Sequence, residues 1–132
     1  MAALTTYGQD LALNYLFNTE ALTRPTGWFV ALHTGDPGAD GTANEVSTGV
    51  DADYVRKTIA LGSEANGQVA SSSEVAWTVN SASAGYTVTH ASIWTAESGG
   101  SPLVKSALLA TRTLVANDVL TFNIGEIVAS AI

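Results

Sequence analysis

The sequence predicts a mainly β domain, an antiparallel β-sandwich of jelly-roll-like build preceded by one N-terminal α-helix. Three observations carry that expectation. From Trp28 onward apolar residues recur with period two, as half-buried strands require. Glycine and serine clusters such as GSEANGQ, SASAG and ESGGSP separate the runs at sandwich spacing. Only one stretch, TTYGQDLALNYLFNTE, has helical periodicity. A chain of 132 residues can bury a core of its own, so residues 1–132 are read as a single domain, with the helix and a linker in 1–24 and the sandwich in 25–132.

Within the helix, Leu11 and Tyr15, Ala12 and Leu16, and Leu13 and Phe17 stand four apart. Thr6 and Gln9 have the spacing of a capping box. The apolar positions cover more than one stripe, so two sides need a partner, either in this domain or on another subunit. TRPTG then turns the chain. WFVALH is apolar on both faces and suits a central strand. In YVRKTIAL the alternation places Val55, Ile59 and Leu61 on one face; in VAWTVN, Val75, Trp77 and Val79; in VLTFNI, Leu120, Phe122 and Ile124. The chain has no internal repeat.

Composition narrows the functional classes. Hydrophobic residues make up 46% and charged residues only 13%, against about 25% charged in ordinary domains. An exterior of Ser, Thr, Gly, Asn and Ala is therefore expected, much of it covered by neighbouring chains. The net charge is −7, and the five basic residues, Arg24, Arg56, Lys57, Lys105 and Arg112, form no stripe. A nucleic-acid partner needs such a stripe to displace counterions, so none is expected. Without cysteine there is neither a disulfide nor a thiolate metal site. The longest apolar runs are too short for a bilayer and no basic-then-apolar leader is present, which predicts a soluble, unprocessed chain with no membrane contact.

Reactive chemistry has little to stand on. His33 ends a strand, and Asp36, Pro37 and Gly38 read as a D-P-G turn in which the aspartate accepts backbone N–H bonds. His90 lies in phase with Val88 and Trp94, so it is expected in or beside the core. Two histidines with no third ligand do not make a zinc site. Asp36, Asp40, Asp51 and Asp53 are oxygen ligands on loops, but they lack calcium-loop spacing and read as solvated turn residues. Neither a G-x-S-x-G elbow nor a phosphate-binding loop occurs. No catalytic residue, metal or cofactor is therefore assigned. Trp28, Trp77 and Trp94 each sit in an apolar run, where core packing outranks a sugar-stacking platform.

In order along the chain, WFVALHTGDPG, ANEVS, YVRKTIAL, TVTHASIWTAESGG and NDVLTFNIGEIVAS resemble a family of small virion proteins of tailed bacteriophages. There a strand ending L-H-T is followed by D-P-G, N-E-V, a Y-x-R strand, a T-H strand and a final N/G-D-x-L-x-F strand. The motifs are individually short, and their order makes the resemblance specific. Family members are variously labelled tail, tail-fibre-like or head-decoration proteins. The resemblance implies structural roles for His33, Thr34, Asp36, Pro37, Asn44, Glu45, Tyr54, Arg56 and His90, with Glu45 and Arg56 paired across adjacent segments. The DAD before Tyr54 departs from the glycine and serine usual in the family.

On this reading the chain is a non-enzymatic structural virion protein, expected to be a capsid decoration (cement) protein on the head exterior. It would act as a homotrimer on the major capsid protein or other virion proteins. Leu11, Leu13, Tyr15 and Phe17 are its interface candidates, and the loop from Asp36 to Val46 is expected to be open to neighbours. The alternative is a tail, baseplate or tail-fibre component. Rivals from other classes are a glycan receptor-binding module and a hydrolase, which would need a pair of essential carboxylates.

Overall fold

A computed structural model describes residues 2–130. After β1 (Ala3–Leu4) and α1 (Thr6–Phe17) come β2 (Phe29–His33), β3 (Lys57–Thr58), β4 (Gln68–Ala70) and β5 (Val75–Thr78). The long strands β6 (Tyr86–Trp94) and β7 (Pro102–Leu114) follow, then β8 (Val119–Phe122) and β9 (Val128–Ser130). A five-stranded sheet has the order β1-β7-β6-β2-β3, and β4 with β9 and β5 with β8 form two small sheets. Every pairing is antiparallel. The expected mainly β fold with one helix is therefore what forms.

The two faces of the large sheet are covered differently. Val30, Leu32 and Val88 join Val75, Trp77, Val79 and Leu120 in a core between the large sheet and the β5–β8 pair. Trp77 meets Phe122 edge-on, with ring centroids 6.0 Å apart at 87°, a favoured aromatic geometry. Ala31, His33, Ser92 and Trp94 lie on the other face, which no strand covers. The irregular segment between β2 and β3 lies there instead. As the apolar sequence WFVALH implies, β2 is a central strand and Val30 to His33 are fully buried.

Period-two reading holds through the strands and the residues just after β3 and β5, and fails before β3 and after β8. Val75, Trp77, Val79, Ile59 and Leu120 are buried. Val55 is 42% exposed and Ile124 68% exposed, because Val55 precedes β3 and Ile124 follows β8. Before β3 the inward residues are Tyr54 and Arg56, one step out of the expected phase. His90 also differs from expectation. The pairing of β6 with β7 passes from Val88↔Arg112 to His90↔Ala107, a bulge in which Thr89 and the segment 108–111 have no partner. Such an insertion switches the outward and inward sets. His90 therefore shares its face with Ser92 and Trp94, and Val88 points into the opposite core.

The helix is capped one residue earlier than the capping-box spacing suggested. Thr5, fully buried, accepts the Gly8 N–H through Oγ1 at 3.1 Å, and its own hydroxyl donates to the Pro102 carbonyl at 2.5 Å. The Thr5 and Thr6 N–H groups donate to Leu103 O and Ala39 O, both at 3.0 Å. Gly8 is the one buried residue of α1, and a Cβ there would land on the Leu103 carbonyl oxygen. Glycine is what allows the helix backbone to rest on β7. The short strand β1, absent from the sequence reading, adds two pairs to the same edge, Ala3↔Lys105 and Leu4↔Val104.

Alanine normally stabilises a helix interior by about 1 kcal/mol over glycine. At Gly8 the sign should reverse. Gly8→Ala is expected to destabilise the chain by about 1–3 kcal/mol, the scale of overpacking, in urea unfolding. Stability equal to or above the parent's would show that the close approach is not required.

Candidate interaction surface

The loop-covered face is held by one continuous polar network. His33 Nδ1 donates to the Ala43 carbonyl at 2.8 Å, which leaves Nε2 to accept from Ser92 Oγ at 2.7 Å. Ser92 Oγ in turn accepts the Trp94 indole N–H at 2.8 Å. Arg56 lies over that indole, its Cζ 3.5 Å from the ring centroid. Its guanidinium makes a bidentate pair with Glu45, Nε to Oε1 and Nη2 to Oε2, each 2.8 Å. Nη1 donates to the carbonyls of Ala96 and Gly99 at 3.1 and 2.7 Å. The Tyr54 hydroxyl donates to Glu45 Oε1 and accepts the Leu32 N–H, both at 3.0 Å.

His33, Glu45, Tyr54 and Arg56, singled out in the sequence, therefore meet. Ser92 completes the chain and was missed, since a lone serine in a strand carries no signal. Asp36, Pro37 and Asn44 form the turn beside them. Asp36 Oδ1 accepts the Gly38 N–H at 2.9 Å, Pro37 is buried, and Asn44, at φ 61°, donates its amide to Asp36 O at 2.9 Å. Lys105 Nζ reaches Asp36 Oδ1 at 3.3 Å. His90 stands apart, half-buried, with Nδ1 2.8 Å from Thr89 Oγ1.

This geometry changes the reading of the Asp36–Val46 loop. Its inner side is occupied: Ala39 O takes the Thr6 N–H, and Gly41 packs on Thr5 and Pro102. Only its outer rim faces solvent. The four loop aspartates do not converge, and among the described residues no three His, Asp or Glu side chains gather. Asp51 is a buried structural residue. Oδ1 accepts from the backbone N–H groups of Asp53 and Asn80, both at 3.1 Å, and Oδ2 from the Tyr86 hydroxyl at 2.8 Å. The DAD departure therefore plugs a corner of the fold. Trp77 and Trp94 are buried and Trp28 is half-buried against the core, so the three indoles make no exposed platform.

Two apolar surfaces remain open to partners. Leu11 is half-buried, whereas Leu13, Tyr15, Leu16 and Phe17 are exposed, Phe17 by 77%. The helix is fastened at Thr5 and Gly8, and its second half projects. On the opposite side of the large sheet a groove of about 570 Å³ runs between β6–β7 and the β8–β9 segment, lined by Ala91, Ile93, Val104, Phe122 and Ile127. At its lip Leu109, in the unpaired bulge, is fully exposed. Among the described residues no helix is long and apolar enough to cross a membrane.

Removing either partner of the Glu45–Arg56 pair leaves a largely buried charge unmatched. Glu45→Gln and Arg56→Gln are each expected to lose about 2–4 kcal/mol in urea unfolding. Non-additive losses in the double variant would confirm direct coupling, and additive losses would refute it. A pH test concerns His33. Burial holds its imidazole below the ordinary 6.5, against the Ala43 carbonyl and Glu45, which favour the proton, with His90 and Arg56 reinforcing the lowering. The folded chain keeps it neutral, so its contribution is complete above about pH 6.5 and declines as pH falls and the unfolded chain takes the proton first. Stability should drop as pH falls below about 6.5, and His33→Gln should be less stable at pH 7 but lack that slope. Glu45 acts in a separate, more acidic window: burial opposes its charge, but Arg56 and Tyr54 outweigh this and lower its pKa from 4.5.

Residues 3–130 match the family described as Podophage GP4 fiber I protein gp80. The match spans nearly the whole chain, so the chain belongs to that family. No curated protein matches it.

Proposed function

We propose that this member of the podophage fiber I family, a structural protein of a tailed-phage virion, is a non-catalytic subunit of an external tail-associated appendage. It works by contact between chains, through the projecting half of α1. The observation that carries this reading is four large apolar side chains, Leu13, Tyr15, Leu16 and Phe17, left exposed on an anchored helix in a chain only 13% charged. Exposed apolar patches of this kind mark interaction sites. The buried network of His33, Glu45, Tyr54 and Arg56 fits a scaffold role, because every strong donor and acceptor in it is taken by the fold.

The family description favours a fibre position. The low charged share of the chain favours capsid decoration, in which the same surfaces would bridge the major capsid protein at many equivalent seams, as a homotrimer, each contact burying roughly 1,200–2,000 Å². Glycan binding is the weaker reading, since the indoles that would stack on a sugar are inside.

Copy number in purified particles separates the two positions. A few to dozens of copies per particle are expected, and hundreds would overturn the appendage reading in favour of head decoration. The subunit should also bind depleted particles without turnover of host polysaccharide.

A further inference from the structure

We infer that the projecting half of α1 docks into the β6–β7/β8–β9 groove of a second copy of this chain, so that the subunits join head to tail. The inference deepens the proposed self-assembly and rests on it.

The two surfaces match in chemistry. From Leu11 to Thr19 the chain carries no charge, and the side chains displayed, Leu13, Leu16 and Phe17, suit a groove with an apolar floor of Ala91, Ile93, Val104 and Phe122. An apolar helix laid in such a groove is a standard recognition mode. The flanks are complementary as well. Asp10 and Glu20 bracket the helical segment, and Arg112 stands at the groove margin with Glu126 the one acidic residue there, while Lys105 is engaged with Asp36 of its own chain. Arg112 has no ion pair among the described residues, which leaves it free to meet a carboxylate from outside.

No residue of α1 lines the groove of its own chain. Thr5 and Gly8 fix the start of α1 to Leu103 O, and Thr6 to Ala39 O in the loop that covers the other face of the sheet. The groove opens on the face that carries Ala91, Ile93 and Val104. Donor and acceptor are different patches, so the contact is heterologous: it closes as a ring when the rotation allows and otherwise propagates. Three copies make the smallest ring beyond a pair.

The test uses the full chain. Sedimentation should show a closed trimer for the parent. Phe17→Asp, at the exposed helix end, and Val128→Asp, on the groove side, should each weaken association at least about 30-fold, with unfolding curves reporting that both remain folded. Mixed together they should form a weak one-to-one dimer, seen by sedimentation only at high concentration, because each keeps the half that the other lost and a single contact is marginal. Since the chain has no cysteine, Leu16→Cys on one copy and Val128→Cys on another should cross-link specifically, a readout that survives if Val128→Asp is unstable. A parent that stays monomeric would overturn both this inference and the self-assembly it rests on. Self-assembly untouched by Phe17→Asp, or variants that fail to complement and cysteines that fail to cross-link, would overturn the docking alone.

Discussion

The Arg56 guanidinium is the interaction on which the covered face of the large sheet depends. Covering a sheet with irregular backbone is difficult, because a loop brings polar groups that have no ladder to join. Arg56 resolves much of this from one position. Its planar fork meets Glu45 at the end of the first loop, its third nitrogen takes two carbonyls of the β6–β7 turn, and its flat face rests on Trp94. A lysine has the charge but neither the fork nor the plane. Through Glu45 and Tyr54 the same cluster reaches the Leu32 backbone, so the loop, the turn and the central strand are fixed together.

That arrangement sets where partners can bind. One face of the sheet is closed over Val30, Leu32 and Val88 by the β5–β8 pair and the other by the loop, and α1 is left at the β1–β7 edge. Since Gly8 permits only a close backbone approach at the first turn, the helix gains contact there and projects beyond it. An anchored, uncharged helix end is a poor design for a lone subunit in water and a good one for a part that must engage a neighbour. On the proposed reading, stability and interaction fall to different residues, with the polar network inside and the apolar helix outside.

Much of the fold was legible because it rests on local patterns. Period-two runs located β5, β6 and β8, the two-sided apolar run WFVALH located β2, and i, i+4 pairs located α1. The Glu45–Arg56 pair was legible only through the order of the family motifs, since eleven positions apart in sequence they share no local signal. Other features are decided by tertiary geometry. Thr5 outcompetes Thr6 as cap because Pro102 and Leu103 supply its remaining partners. The bulge at Thr89 reverses the phase of His90 through the extra residues on the partner strand, which no reading of β6 alone can detect. Asp51 looks like any loop aspartate until Asn80 and Tyr86 arrive from distant segments.

The magnitude of the exposed helix surface also bears on how assembly proceeds. Fully burying a large apolar side chain contributes about 1.5–3 kcal/mol, so four of them give at most roughly 6–12 kcal/mol, an upper bound because each is already partly covered. Joining two chains costs about 4–15 kcal/mol in lost freedom. A single helix-in-groove contact is therefore marginal. A closed ring of three has three such contacts but only two association events, because the last contact forms within an already joined assembly at high effective concentration. Under the proposed head-to-tail docking, ring closure is cooperative: isolated pairs stay sparse, and the complete ring is the stable species.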